Sequence, residues 1–173
     1  MLLETERLRV RELDEEKDAE FMHRLLNSPK FIRFIGDRNV RTVEESRVFI
    51  RDRYRKSYKE NGYGLYAVEL NAGAGPSPVG ICGFVRRDSL PHPDLGFAFL
   101  PEHEGHGYGY ESARALMNYS RDVLKFTKLL AITTIDNEAS EKFLMKLGFV
   151  FEGIKEMSVD EKLKVFRADL IRS

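Results

Sequence analysis

The chain has 173 residues, 42% of them hydrophobic, which suffices for one domain with its own core, and the expectation is a single domain over 1–173. Lys plus Arg and Asp plus Glu both number 28, so the formal net charge is zero, and bulk nucleic-acid binding, which needs a basic excess, is excluded. A lone cysteine, Cys82, excludes an intrachain disulfide; the absence of any run near the ~20 apolar residues of a membrane span, or of an apolar leader, points to a soluble cytoplasmic protein.

Leu8 and Val10 alternate with Arg7, Arg9 and Arg11, as in a half-buried strand. Asp18, Phe21, Met22, Leu25 and Leu26 follow helical spacing up to Ser28-Pro29. Thr42-Val43-Glu44-Glu45 reads as a capping box opening a second helix, with Val43, Ile50, Tyr54 and Tyr58 on one face and Asn61-Gly62 as the stop. The basic residues Arg51, Arg53, Arg55, Lys56 and Lys59 of that helix, interrupted by Asp52 and Glu60, read as a solvated face.

From Tyr63 the texture becomes β-rich. Tyr63–Leu70 and Val79–Arg86 flank a Gly/Pro loop at Asn71–Pro78, and Leu95–Leu100 follows the Asp88–Pro93 loop. A helix then carries Ala113, Leu116, Met117, Ser120 and Leu124 inward. Leu129–Thr134 is a strand, Asn137 opens a short helix stopped by Gly148, and Phe149–Glu156 and Lys162–Leu170 close the chain. The order β-α-α-β-β-β-α-β-α-β-β predicts a mixed α/β sheet, mainly antiparallel with one parallel pair, and helices on both faces.

Most of the chemistry is concentrated in Phe97–Glu111, where an apolar strand runs into Glu104-Gly105-His106-Gly107-Tyr108-Gly109 and then a helix. Backbone N–H groups at such a helix start, with the helix dipole behind them and glycines in front, suit an anion such as a diphosphate. The spacing is wrong for a dinucleotide-binding G-x-G-x-x-G, and no Gly-Lys-Ser/Thr is present for a nucleoside-triphosphate loop. His103 and His106, with His92, have glycines between them and no cysteine beside them, so no metal is expected; Cys82, mid-strand, reads as core.

Three motifs in order resemble the GNAT superfamily of acyl-CoA-dependent N-acetyltransferases, nearest its ribosomal-protein N-terminal (Rim-type) group. Thr5-Glu6-Arg7-Leu8-Arg9-Val10-Arg11 is similar to that group's opening. Glu104–Gly109 falls on the superfamily's [Gln/Arg]-x-x-G-x-[Gly/Ala] loop. Asn137-Glu138-Ala139-Ser140 followed by Lys146-Leu147-Gly148-Phe149 resembles its N-x-x-S…K-L-G-F signature. Two departures stand out: Glu104 replaces the usual Arg or Gln, and Leu144 occupies the place of a tyrosine acid found in many members.

The resemblance implies acetyl-CoA as co-substrate, no metal, and direct attack of an amine on the thioester. It places CoA on Phe99, Leu100, Gly105, His106, Gly107, Tyr108, Gly109, Tyr110 and Asn137, with a backbone N–H of the Phe97–Leu100 strand facing the thioester oxygen. Ser140 is the implied acid for the leaving thiolate. For the base, Asp94 stands first and Glu111 second, against plain readings as a turn carboxylate and a helix-dipole partner. Asn137 reads equally as an N-cap, and Tyr108 and Tyr110 as filler between helix and sheet. The expected acceptor is a protein or peptide N-terminal amine. Alternatives are a polyamine or aminoglycoside, served by the acidic residues Glu15, Glu16, Glu44, Glu45, Asp88 and Asp94, or a non-catalytic acyl-CoA sensor. A homodimer stays open.

Overall fold

The structure, a computed structural model, describes residues 1–73 and 77–170, so part of the expected Asn71–Pro78 loop lies outside the described residues. A two-residue strand, β1 (Leu3–Glu4), precedes β2 (Leu8–Arg11), the half-buried strand expected from the alternation. Helix α1 (Ala19–Leu26) is followed by α2 (Pro29–Phe34), which the sequence reading missed. Pro29, taken there as a stop, sits in the first turn of α2, where a missing N–H costs nothing.

The Thr42 box opens α3 (Val43–Phe49): the Thr42 hydroxyl accepts from the Glu45 N–H at 3.0 Å. The helix continues through a π-helical segment, Ile50–Arg55, into α4 (Lys56–Asn61), and Gly62 ends it at φ +78°. The inner face is Ser46, Ile50 and Tyr54; Val43, expected there, is exposed. The later elements are β3 (Leu65–Leu70), β4 (Pro78–Val85), β5 (Asp94–Phe99), α5 (Tyr108–Asp122), β6 (Lys128–Thr134), α6 (Glu138–Lys146), β7 (Val150–Ser158) and β8 (Glu161–Asp169).

The eight strands form one sheet in the order β1-β2-β3-β4-β5-β6-β8-β7, antiparallel throughout except for the parallel pair β5/β6. Alternation splits the buried residues between two cores. On one face Leu8, Val68, Cys82, Leu95 and Leu129 pack under Leu116 of α5 and Leu144 of α6. On the other, Ala67, Ile81 and Leu100 meet Met22, Leu25, Ile50 and Tyr54 of α1 and of the α3–α4 helix. Cys82 is wholly buried and its thiol is pushed up to about 12 by burial, as suits a core residue with no chemistry. Among the described residues no helix is long and apolar enough to cross a membrane.

Candidate active site

β5 and β6 start together and then part. Their register holds one pair, Asp94 with Leu130, and the Leu130 N–H bonds the Pro93 carbonyl at 2.9 Å, whereas β5 stays paired with β4 along its length. In an antiparallel ladder, successive residues direct their N–H and C=O groups to opposite edges. The Leu100 N–H reaches Val79 O at 2.9 Å, so Leu100, Ala98 and Gly96 face β4, and Phe99 and Phe97 turn their peptide groups into the gap. A V-shaped opening therefore carries unpaired backbone donors and acceptors on one wall, of the kind an extended, amide-containing arm can join as a strand. Leu100, expected among the CoA contacts, has no donor to offer: its N–H is used by Val79, its carbonyl accepts from His103, and its side chain is core.

At the top of the V the chain turns through Gly105 (φ +79°) and Gly107 (φ +80°) into α5. The backbone N–H groups of residues 105 to 110 have no hydrogen-bond partner among the described residues. Left-handed glycines alternating with right-handed neighbours curl such amides into a concave nest, and the dipole of the 15-residue α5 adds to it. A Cβ on Gly105 would meet nothing within 4 Å, and one on Gly107 only the Arg7 Nη2 at 3.2 Å, so the nest opens outward. The loop fits a diphosphate.

Gly109 serves a different purpose. A Cβ there would lie 3.4 Å from the Phe99 ring and 3.5 Å from that of Phe143, so glycine lets α5 start close against β5 and α6. Phe143 in turn packs on Phe97, ring centroids 4.6 Å apart.

The nest is tied down from the N-terminal part of the chain. The Arg7 guanidinium donates to His106 O at 2.9 Å and to Glu111 Oε1 at 2.7 Å, and lies 4.8 Å over the Tyr108 ring. The other Glu111 oxygen accepts from the Thr5 hydroxyl at 2.5 Å and the Arg7 N–H at 3.0 Å. Burial works against the charge of Glu111, but these donors prevail and hold its carboxyl below the ordinary value. Glu111 thus has the attributes of a strut; a base needs a free lone pair. Tyr108 and Tyr110 pack against the core, with the Lys146 ammonium 4.4 Å over Tyr110.

Glu104, the residue that departs from the expected cation, bonds the Lys30 ammonium of α2 at 2.6 Å, and Glu102 bonds Arg24 of α1. The carboxylate is held by a lysine, and its charge beside the nest is offset. Neither Lys30 nor Arg24 carried a recognisable signal: Lys30 lies on α2, a helix absent from the sequence expectation, and Arg24, on the expected α1, meets a carboxylate 78 residues away.

Asn137 caps α6, its Oδ1 accepting from the Ser140 N–H at 3.2 Å. The Ser140 backbone is thereby fixed in the first turn; the residue is half-buried, and its hydroxyl has no hydrogen-bond partner among the described residues. Leu144, one turn on, is fully buried.

Asp94 stands at the point where the V closes, about 17 Å or five strand steps from Phe99. It is 1% exposed, and burial pushes its carboxyl up to about 6 even though Arg87 Nε donates to it at 3.0 Å. Arg87 comes from the loop after β4 and lay outside the sequence reading.

The family model for the acetyltransferase (GNAT) domain matches residues 7–150. YoaA of Bacillus subtilis (strain 168), described as an uncharacterized N-acetyltransferase, is 26% identical over 154 residues, covering 88% of this chain and 85% of its own. Among solved structures, RimL, a ribosomal L7/L12 alpha-N-protein acetyltransferase in complex with coenzyme A, superposes with a TM-score of 0.81 at 17% identity over 97% of each chain. A spermidine N-acetyltransferase from Vibrio cholerae, in complex with CoA and spermine, gives 0.75 at 19% identity over 96% of this chain and 97% of its own. At these identities the two structures bear on the fold alone.

Proposed function

The chain belongs to the GNAT acetyltransferase family and is an acyltransferase, and on that premise we propose that it acts as one domain transferring acetyl from acetyl-CoA to the terminal amine of a protein or peptide. The observation that carries this reading is the run of unpartnered amides at 105–110 leading into an open β5/β6 V. Gly105, His106, Gly107, Tyr108, Gly109 and Tyr110 take the diphosphate through their backbone. The peptide groups of Phe97 and Phe99 take the pantetheine arm. Acetyl-CoA supplies the activated thioester.

The amine forms a bond to the acetyl carbon as the C–S bond breaks, so one proton must leave the nitrogen and one must reach the sulfur. Asp94 accepts the first through water, its raised affinity for a proton matching a base that works near neutral pH. Ser140 supplies the second, held in place by the Asn137 cap. A strand N–H facing the V supports the charge that gathers on the thioester oxygen. Holding both reactants in one cleft provides a large part of the rate.

The test is CoA release by thiol detection, with acetyl-CoA and a panel of N-terminal peptides, polyamines and aminoglycosides. Saturable turnover with peptides supports the reading. Turnover confined to polyamines or aminoglycosides replaces the acceptor, and CoA binding with no turnover on any amine favours a sensor.

A further inference from the structure

Three buried side-chain atoms have no hydrogen-bond partner among the described residues: Oγ1 of Thr133, Oγ1 of Thr134 and Nε of Arg167. Two of them have a carboxylate at hand. Arg167 Nε lies 3.4 Å from Asp169 Oδ1, and the Thr134 hydroxyl helps hold the Asp136 carboxyl below its ordinary value. Thr133 has none among the described residues. It is 5% exposed, so solvent does not make good the loss, and a buried hydroxyl left unbonded is costly to keep. Valine would fill the same place in a strand without that cost.

β6 meets β5 only at Asp94 and Leu130. Counting on in parallel register from that pair sets Thr133 level with Phe97, three strand steps or about 10 Å beyond the closed end of the V. Alternation gives the face: Leu129 and Ala131 belong to the core under α5 and α6, and Thr133 is the next residue on that side. Its register partner on β8, Lys164, agrees, because the Lys164 ammonium bonds Glu141 of α6 at 2.9 Å. The first turn of α6 therefore stands over Thr133. Ser140 lies in that turn, four residues before the fully buried Leu144, so its side chain also faces the sheet. Two hydroxyls without partners, one from the strand and one from the helix, thus share one side of the sheet at the edge of the gap.

We propose that the Thr133 hydroxyl is a second donor to the thioester sulfur, holding the leaving thiolate by a hydrogen bond while Ser140 supplies the proton. The proposal rests on the acetyltransferase reading above and deepens it by adding a residue that touches the reacting atoms. The amides of the arm lie in the plane of the sheet, where the strand edges meet them. A hydroxyl above that plane, under the helix turn that carries the acid, is placed for the sulfur, on which charge gathers as the C–S bond breaks. The Thr133 proton stays on its oxygen, so the balance of the transfer is unchanged. Screened from water, a donor here is worth more to a developing anion than one at the surface.

Proximity is tested without turnover by incubating Thr133→Cys with CoA disulfide. The introduced thiolate attacks that disulfide, expels one CoA as its thiolate and keeps the other in a mixed disulfide, read by mass spectrometry. Labelling of Thr133→Cys is expected, with the parent, whose Cys82 is buried, and Thr134→Cys left unlabelled. The role of the hydroxyl is tested by Thr133→Val, which should unfold at or above the parent Tm because it removes an unbonded buried group. Its kcat should fall about tenfold, the size of a hydrogen bond to a charged group. The thiol of bound CoA, followed by its ultraviolet thiolate band, should ionise about one pH unit higher in Thr133→Val than in the parent. Thr133→Ser, which keeps the hydroxyl, should restore both.

If Thr133→Cys binds CoA by calorimetry but takes no label, the hydroxyl is sealed from the arm and the proposal falls. Equal labelling of Thr134→Cys, or a parent-like kcat and thiol ionisation in Thr133→Val, would overturn it too. Each of these results leaves the acetyltransferase intact. Labelling and a shifted thiol ionisation with no amine turned over would keep the sulfur site and remove the enzyme reading. A parent that binds no CoA would remove both.

Discussion

Replacing Asp94 by asparagine should make the protein more stable at neutral pH and much less active. In the fold the carboxyl is 1% exposed and titrates near 6, against an ordinary value of 3.8 in an unfolded chain. Between those two pH values the folded state holds a proton that the unfolded state has released. Stability is therefore complete below 3.8 and is lost as pH rises through about 6. The gap converts to about 3 kcal/mol, with the attraction of Arg87 already contained in it. For a chain of this length that is about 6–12 °C in Tm. Unfolding of parent and Asp94→Asn by guanidinium at pH 4, 5, 6, 7 and 8 measures it: the variant's advantage should be near zero at pH 4 and level off at about 3 kcal/mol above pH 7. In parallel, turnover should fall by about a hundredfold or more, and the limb near pH 6 in the parent's kcat/KM profile should disappear. An advantage that does not change with pH would refute the buried-carboxylate argument. A pH-dependent advantage with unchanged turnover would make Asp94 a holder of Arg87 and return the base role to water.

Gly107→Glu should abolish CoA binding by calorimetry, because a carboxylate would enter the nest, whereas Gly105→Ala, with no neighbour within 4 Å, should cost only about 1 kcal/mol of backbone strain and keep measurable binding. Near-normal CoA affinity in Gly107→Glu would remove the nest as the diphosphate site. Ser140→Ala should lower kcat about tenfold or more and leave the acetyl-CoA KM within about twofold; an unchanged kcat under chemistry-limited conditions would mean the thiolate leaves unprotonated. Lys30→Met should weaken CoA binding about threefold to tenfold by exposing the charge of Glu104, and Glu104→Gln in the same chain should restore it. Equal CoA affinity in all three proteins would show that Glu104 is silent.

What could be read from the sequence follows the range of the interactions involved. The Thr42 box, the Gly62 stop and the Asn137 cap are contacts within three or four residues, and each stands where local chemistry puts it. The glycine turn was legible for the same reason, since positive φ at 105 and 107 is a local demand. The parallel β5/β6 pair followed from the strand–helix–strand order, but its early parting did not, because alternation in Leu95–Leu100 is the same whether or not a neighbour is present. That the Leu100 N–H faces β4 and not the gap was not legible, because a sequence carries no sign of which edge a peptide faces until the register is fixed. Helix α2 was lost to a proline that both ends one helix and begins the next. The ties of Glu111 to Thr5 and Arg7 were not legible because those partners lie more than a hundred residues away.

That last separation bears on how the nest comes into being. Several side-chain tethers on the loop and the start of α5 reach back into the first thirty residues: Thr5 and Arg7 to Glu111, Arg7 to His106, Arg24 to Glu102, Lys30 to Glu104. A chain emerging from the ribosome holds those anchors long before the loop exists, and closing such long loops is entropically slow. The ability to grip a diphosphate should therefore arrive late, after β2 to β5 have zipped. CoA in excess would then act on the last stage of folding, raising yield by capturing finished nests and leaving earlier steps untouched.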